Sequence, residues 1–216
     1  MHVTYHNHSG FSVDTGERVL LFDYIGGGFK KPGKPCLALV SHAHSDHWMQ
    51  GVEQLADACV GGFDLPDVPG IARLNPGDLW ESDGVRVRAY RSTDEGVSFA
   101  VSCDGLRIFH AGDLNFWHWR EDGDEEYTRD MLAAFDAALN EMEGEEFDLT
   151  FFPVDARLGA GHDEGAEMFL SRIRTKVFIP MHCTSPESAR EFEAKHAGET
   201  GFSVRAMTAP GETIQI

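Results

Sequence analysis

No run of apolar residues in this 216-residue chain is long enough to cross a bilayer; the longest, such as Cys36-Leu37-Ala38-Leu39-Val40, are strand-sized. The opening Met1-His2-Val3-Thr4-Tyr5 has neither the basic nor the apolar segment of a secretion signal. A cytoplasmic protein without membrane contact is therefore expected. Cysteine is sparse: Cys36, Cys59, Cys103 and Cys183 stand far apart with no C-x-x-C pair, which excludes a zinc knuckle and a dithiol redox motif. In a reducing compartment these thiols should stay unpaired, mostly in the core. Basic residues are few, 18 Lys and Arg against 36 Asp and Glu, for a formal charge of −18. Such a surface repels phosphate backbones, so no nucleic-acid partner is expected. The glycines at 26–28 lack the spacing of a phosphate-binding loop. No internal repeat, linker or low-complexity segment divides the chain, and its length suits a single domain over residues 1–216. The oligomeric state stays open, a homo-oligomer included.

What is present reads first as strands and turns, then as strands alternating with helices. β-type runs are expected at residues 3–5, 10–13, 18–22 and 37–40, helical character at 48–56, and further strands at 85–90, 97–102 and 106–110. Asp104-Gly105 between the last two is a hairpin signal. Apolar residues at helical spacing mark 127–142, followed by a strand at 149–154, a helix at 164–173, a strand at 177–180 and a helix at 186–197. Closing strands fall at 202–206 and 213–216. The order predicts an α/β fold of two sheets with helices outside.

One segment carries chemistry. Ser41-His42-Ala43-His44-Ser45-Asp46-His47 places three imidazoles and a carboxylate directly after a buried strand. These are ligands that zinc, iron and manganese accept, and only Ala and Ser intervene. A loop anchored by a rigid strand can aim His42 and His44 one way and Asp46 and His47 another, which suits two adjacent metals. Asp155 and Arg157, at a later strand end, read equally well as a functional pair or a structural salt bridge. His162 fits a surface histidine or a substrate contact, with Asp163 or His162 capping the helix that follows. Phe116, Trp117 and Trp119 suit either a pocket wall or the core.

The pattern H-x-H-x-D-H after an apolar strand resembles the metallo-β-lactamase superfamily. The resemblance extends to Leu20-Leu21-Phe22-Asp23, Ile108-Phe109-His110-Ala111-Gly112-Asp113 and Val177-Phe178-Ile179-Pro180-Met181-His182. His8-Ser9-Gly10-Phe11 and Pro180-Met181-His182 look closest to the ascorbate-6-phosphate lactonase-like branch. The resemblance implies a four-layer αββα sandwich with two divalent ions at one edge of the sheets, zinc before manganese or iron. It implies that Asp113 bridges the ions, that His182 joins His47 at the second, and that Asp23 supports a ligand imidazole. Asp46 would bind metal and orient or deprotonate the attacking water, and His8 would lie near the site without being a ligand.

One departure stands out. The family's histidine after the strand at 85–90 is missing from Tyr90-Arg91-Ser92-Thr93-Asp94-Glu95-Gly96. Asp94 can replace it, His110 or His118 can reach in, or a single ion is bound. A carboxylate there would favour harder ions. The function implied is hydrolysis of a small ester, lactone or phosphoester by metal-bound hydroxide. A metal-dependent phosphodiesterase or nuclease, and a non-catalytic metal-binding protein with a degenerate site, are the alternatives.

Overall fold

The computed structural model describes residues 1–120 and 124–216. The chain first lays down β1 (His2–Asn7), β2 (Gly10–Asp14), β3 (Val19–Phe22), β4 (Cys36–Val40), β5 (Ala58–Gly62) and β6 (Ile71–Leu74). It continues with β7 (Leu79–Ser82), β8 (Val85–Arg91), β9 (Val97–Cys103), β10 (Leu106–His110), β11 (Glu146–Pro153), β12 (Arg174–Met181) and β13 (Ser203–Val204) before β14 (Thr213–Gln215). Among the described residues three helices intervene: α1 (Glu125–Glu141), α2 (Glu164–Arg172) and α3 (Pro186–Lys195). β4 is buried along its whole length, as a parallel strand covered on both faces must be, and its run of apolar residues reflects that. β8 alternates instead, with Val85, Val87 and Ala89 buried and Arg86 and Arg88 exposed.

The strands form two seven-stranded sheets, ordered β14-β1-β2-β3-β4-β5-β6 and β13-β12-β11-β10-β9-β8-β7. In each, the strands pair antiparallel at one side and parallel at the other: β14 to β3 and β7 to β10 are antiparallel, while β3 to β6 and β10 to β13 are parallel. The two halves thus share one pairing pattern although the sequence shows no repeat. The parallel register aligns Phe22 with Leu39 in one sheet and His110, Phe151 and Ile179 in the other. Carboxyl ends of parallel strands from both sheets consequently share an edge, where open α/β sheets place their ligands.

Phe11, Phe22 and Phe151 meet between the sheets, with the Phe11 and Phe151 rings 4.4 Å apart. Outside the second sheet, α1 packs on β8, α2 on β11 and β12, and α3 on β12. Phe152, Phe169, Phe178 and Phe192 seal that layer. Outside the first sheet, Leu21, Ala38, Val40 and Cys59 are covered by Val52, Ala56 and Leu65 with Phe29, Trp48 and Met49. The four layers are those expected, but this last one is thin. Residues 48–56 give only a 3-10 turn, Val52–Leu55, because Gly51 enters it at φ 91° and Ala56 leaves it extended. The peptide N–H groups of His47 and Trp48 both turn back to the His44 carbonyl instead. Asp104-Gly105 forms its hairpin with both residues at positive φ. All four cysteines are free, Cys183 only partly buried. Among the described residues no helix is long and apolar enough to span a membrane.

Candidate metal centre

The site is built from the end of β4 outward. Asp23, buried and in the left-handed region at φ 39°, follows β3 and receives the Ser41 peptide N–H and hydroxyl, each at 2.7 Å. The Ser41 carbonyl accepts from Val97 N–H, and Asp64 takes the Ala43 N–H at 2.8 Å. This leaves no room beside the loop. A Cβ on Gly62 or Gly96 would overlap the Ser41 carbonyl, and Gly96 also sits at φ +65°. So clamped, the loop presents His42 and His47 inward and buried, with His44 and Asp46 at the solvent side.

The second sheet supplies the opposite wall. Asp113 lies just past β10, with Trp117 Nε1 donating to its carbonyl at 2.7 Å. His182 ends β12 at φ 56°. Its Nδ1 donates to Asp155 Oδ2 at 2.8 Å, and Asp155 also accepts from Arg157 and Thr184. The other imidazoles are held in the same way: His47 Nδ1 donates to Asp23 at 2.7 Å, and His42 Nδ1 contacts Ser41 Oγ at 2.9 Å. Since that hydroxyl gives its own proton to Asp23, it accepts from His42. With each Nδ1–H fixed outside, the Nε2 atoms face inward, the arrangement ligand histidines need.

The inward atoms converge. Asp113 Oδ1 is 3.1 Å from His47 Nε2 and 3.4 Å from His182 Nε2, while Oδ2 is 3.4 Å from His42 Nε2. Even so, Nε2 of His42 and of His47 and Asp113 Oδ1 are buried without a hydrogen-bond partner, because the close pairs are out of line. Among the described residues three sets each bring their donor atoms within 4.8 Å: His42, His44 and Asp46; His42, His47 and Asp113; and His8, Asp46, His47 and His182. Donors of a tetrahedral zinc site at ~2.0–2.1 Å from the ion stand ~3.3–3.5 Å from one another, close to the 3.1–3.4 Å between these atoms. Such orphaned atoms are costly unless a cation satisfies them.

Electrostatics agree. Burial opposes its charge, yet the imidazoles of His47, His182 and His42 hold the Asp113 carboxyl well below the usual range. Against burial, the carboxylates of Asp113 and Asp23 push His47 up to about 10. Burial and the neighbouring His47 hold His42 below its ordinary value.

Of the residues singled out in the sequence, His42, His44, Asp46, His47, Asp113 and His182 come together. Asp94 stays at the exposed rim, outside the three sets; burial, Asp113 and Glu95 raise its carboxyl, and His44 and His182 lower it. His110 has both ring nitrogens engaged, Nε2 on the Ser9 carbonyl at 2.9 Å and Nδ1 accepting the Gly112 N–H. His118 is engaged likewise, by the Gly161 carbonyl and the Arg120 N–H. Asp163 stands at the start of α2 without capping it; its carboxylate takes Lys195 at 2.6 Å. Burial pushes the Cys183 thiol up to about 12, and Cys183 belongs to none of the three donor sets. Sequence reasoning missed the anchoring parts of Ser41 and Asp64, and it left Asp155 undecided. An acid next to a predicted strand end was the available signal for Asp155.

A cluster of imidazoles and carboxylates at the shared edge of two mixed sheets, with helices outside, defines a protein of the metallo-β-lactamase fold. The chain belongs to the family described as the beta-lactamase superfamily domain, which matches residues 2–182. It is 26% identical over 242 residues to a UPF0173 metal-dependent hydrolase of Thermococcus onnurineus, covering 99% of each chain. Among solved structures it is similar to Igni18, a metallo hydrolase of Ignicoccus hospitalis (TM-score 0.64, 19% identity, 99% and 97% of the two chains). It is also similar to the metallo-beta-lactamase fold protein YhfI of Bacillus subtilis (TM-score 0.57, 11% identity, 99% of each chain). The protein is an enzyme of this superfamily, a metal-dependent hydrolase.

Proposed function

We propose that the enzyme hydrolyses a small ester, lactone or phosphoester at two divalent ions, zinc in preference to manganese or iron. His42 and His44 would hold one ion, with Asp94 at the rim beside it, and Asp46, His47 and His182 would hold the other. Asp113, within reach of His42, His47 and His182, would serve both. When bound, such ions supply a Lewis acid and lower the pKa of water to about 7. The observation that carries this reading is the set of buried, partnerless Nε2 and Oδ1 atoms facing one point.

The protein's own residues do the rest. Asp23, Ser41 and Asp155 fix the imidazole rings. Asp46, with a side chain 52% exposed at the mouth, orients the attacking water and takes its proton. Trp117 stacks on Trp119 with centroids 6.0 Å apart and sets its edge against His182, a flat apolar wall for a small substrate. The charge of −18 disfavours a nucleic-acid substrate.

The test is metal content together with a hydrolysis panel. Wild type should carry divalent metal and turn over an ester, lactone or phosphoester, and His44→Ala should lose metal and activity together. Full metal retention by that variant would overturn the assignment. Loaded enzyme inert on the whole panel would make it a binding protein, and RNA cleaved as fast as the best ester would make it a nuclease.

A further inference from the structure

We propose that His8 is a further ligand of the ion held by Asp46, His47 and His182, an inference that rests on ions occupying this cluster as described above. His8 sits in the turn between β1 and β2 at φ 46°. A residue with a side chain is held there only at a cost, which the surroundings must impose. They do. The His8 carbonyl accepts from the His182 N–H at 3.3 Å, and the next carbonyl, of Ser9, is bound by His110 Nε2 at 2.9 Å. The turn is thus fastened to the ends of β12 and β10, which carry His182 and lead to Asp113.

The ring is placed by these ties. It lies over His182 with centroids 4.0 Å apart and edge-on to His47 at 5.3 Å. Its Nε2 is 3.4 Å from Asp46 Oδ2, the separation expected of two donors on one ion. The contact is not aligned as a hydrogen bond, and Nε2 is buried without a partner. Nearby His110, which has a structural part, differs on this point: its Nε2 meets the Ser9 carbonyl and its Nδ1 accepts the Gly112 N–H. The donor atom of His8 falls within 4.8 Å of those of Asp46, His47 and His182.

The consequence is a division of labour. Metal sites that keep a place open admit water or substrate, and sites saturated by protein ligands do not. Counting Asp113, His8 would give the ion at Asp46, His47 and His182 five protein ligands against four at its neighbour, where Asp94 stands at the exposed rim, so the substrate's place lies on the His42–His44 side. The two ions then differ in affinity, the His8 ion being the tighter.

The experiment titrates the chelator-stripped full chain with zinc and cobalt(II), for wild type and His8→Asn, since Asn tolerates left-handed backbone. Wild type should show two unequal affinities. His8→Asn should weaken the tighter at least ~100-fold, the upper end of what losing an outer partner costs, and should alter the cobalt absorption of that site alone. A second measurement needs no variant: the imidazole ¹⁵N resonances of His8 in wild type should shift with the first zinc equivalent. Unshifted His8 resonances, or a variant with unchanged affinities and cobalt spectrum, would overturn the proposal for His8. A wild type that takes up no ion overturns the reading of the whole site instead.

Discussion

Asp155 shows what a single residue can hide. In the sequence an acid and an Arg two positions later make a sufficient salt bridge, and that pair does form. Only the parallel register of β11 and β12, with Pro153 opposite Met181, reveals that the same carboxylate reaches His182. Pairing between strands far apart in the chain cannot be read from either strand alone. By contrast, His42, His44, Asp46 and His47 were legible because one short loop carries them all. Asp155→Asn keeps the shape but leaves a neutral acceptor for His182 Nδ1–H and an unpaired Arg157. Metal affinity should fall roughly 10–100-fold, as for other losses of an outer partner. Competition against a chelating dye measures this, and an unchanged affinity would show that His182 needs no such support.

Elements were legible in proportion to their periodicity. The helix expected at 127–142 is α1 at Glu125–Glu141, and the hairpin at Asp104-Gly105 formed as read. β5, β6 and β7 went unseen, since Ala58–Gly62 ends in two glycines and Ile71–Leu74 and Leu79–Ser82 are short, with a single buried residue, Leu74, between them. The loop between β8 and β9 was read for the side chain it lacks, yet the backbone there matters more. Gly96 is the place where that loop touches Ser41 and His42. Gly96→Ala adds a methyl against the Ser41 carbonyl and strains a left-handed residue. It should cost about 2–4 kcal/mol, combining overpacking and backbone strain. Gly77→Ala is the control: φ is also positive, at 93°, but nothing lies within 4 Å of the added carbon. Thermal unfolding in chelator should place Gly96→Ala well below Gly77→Ala. Equal midpoints would mean that the close approach at Ser41 carries no weight.

At the scale of the molecule, what the sequence concealed is the pairing pattern common to both sheets, which depends on hydrogen bonds and not on side chains. That pattern puts ligands from two sheets on one edge: His42 to His47 follow β4 of the first, and Asp113 and His182 follow β10 and β12 of the second. A cation there ties the sheets together and binds only the folded chain. Stabilisation then follows RT ln(1 + [L]/Kd), about 2.7 kcal/mol at a hundredfold excess over Kd and about 4.1 at a thousandfold. For a chain of this size that is a rise of roughly 5–16 °C in Tm on metal loading. The pH dependence has a definite sign. Without metal, Asp113 and Asp23 overcome burial to keep His47 protonated up to about 10, well above the ordinary imidazole value of 6.5. That contribution to stability is full below about 6.5 and is lost as pH climbs towards 10. An ion must displace the same proton, so binding strengthens with rising pH over this window. His8, lowered to about 4 chiefly by burial, has no proton to release near neutrality, and burial lowers His42 as well. The gap in Tm between zinc-loaded and chelator-treated protein should therefore widen from pH 6.5 to pH 8.5. A gap that stays constant over that range would mean that His47 is neutral before the metal arrives, and that Asp113 and Asp23 do not hold the proton between them.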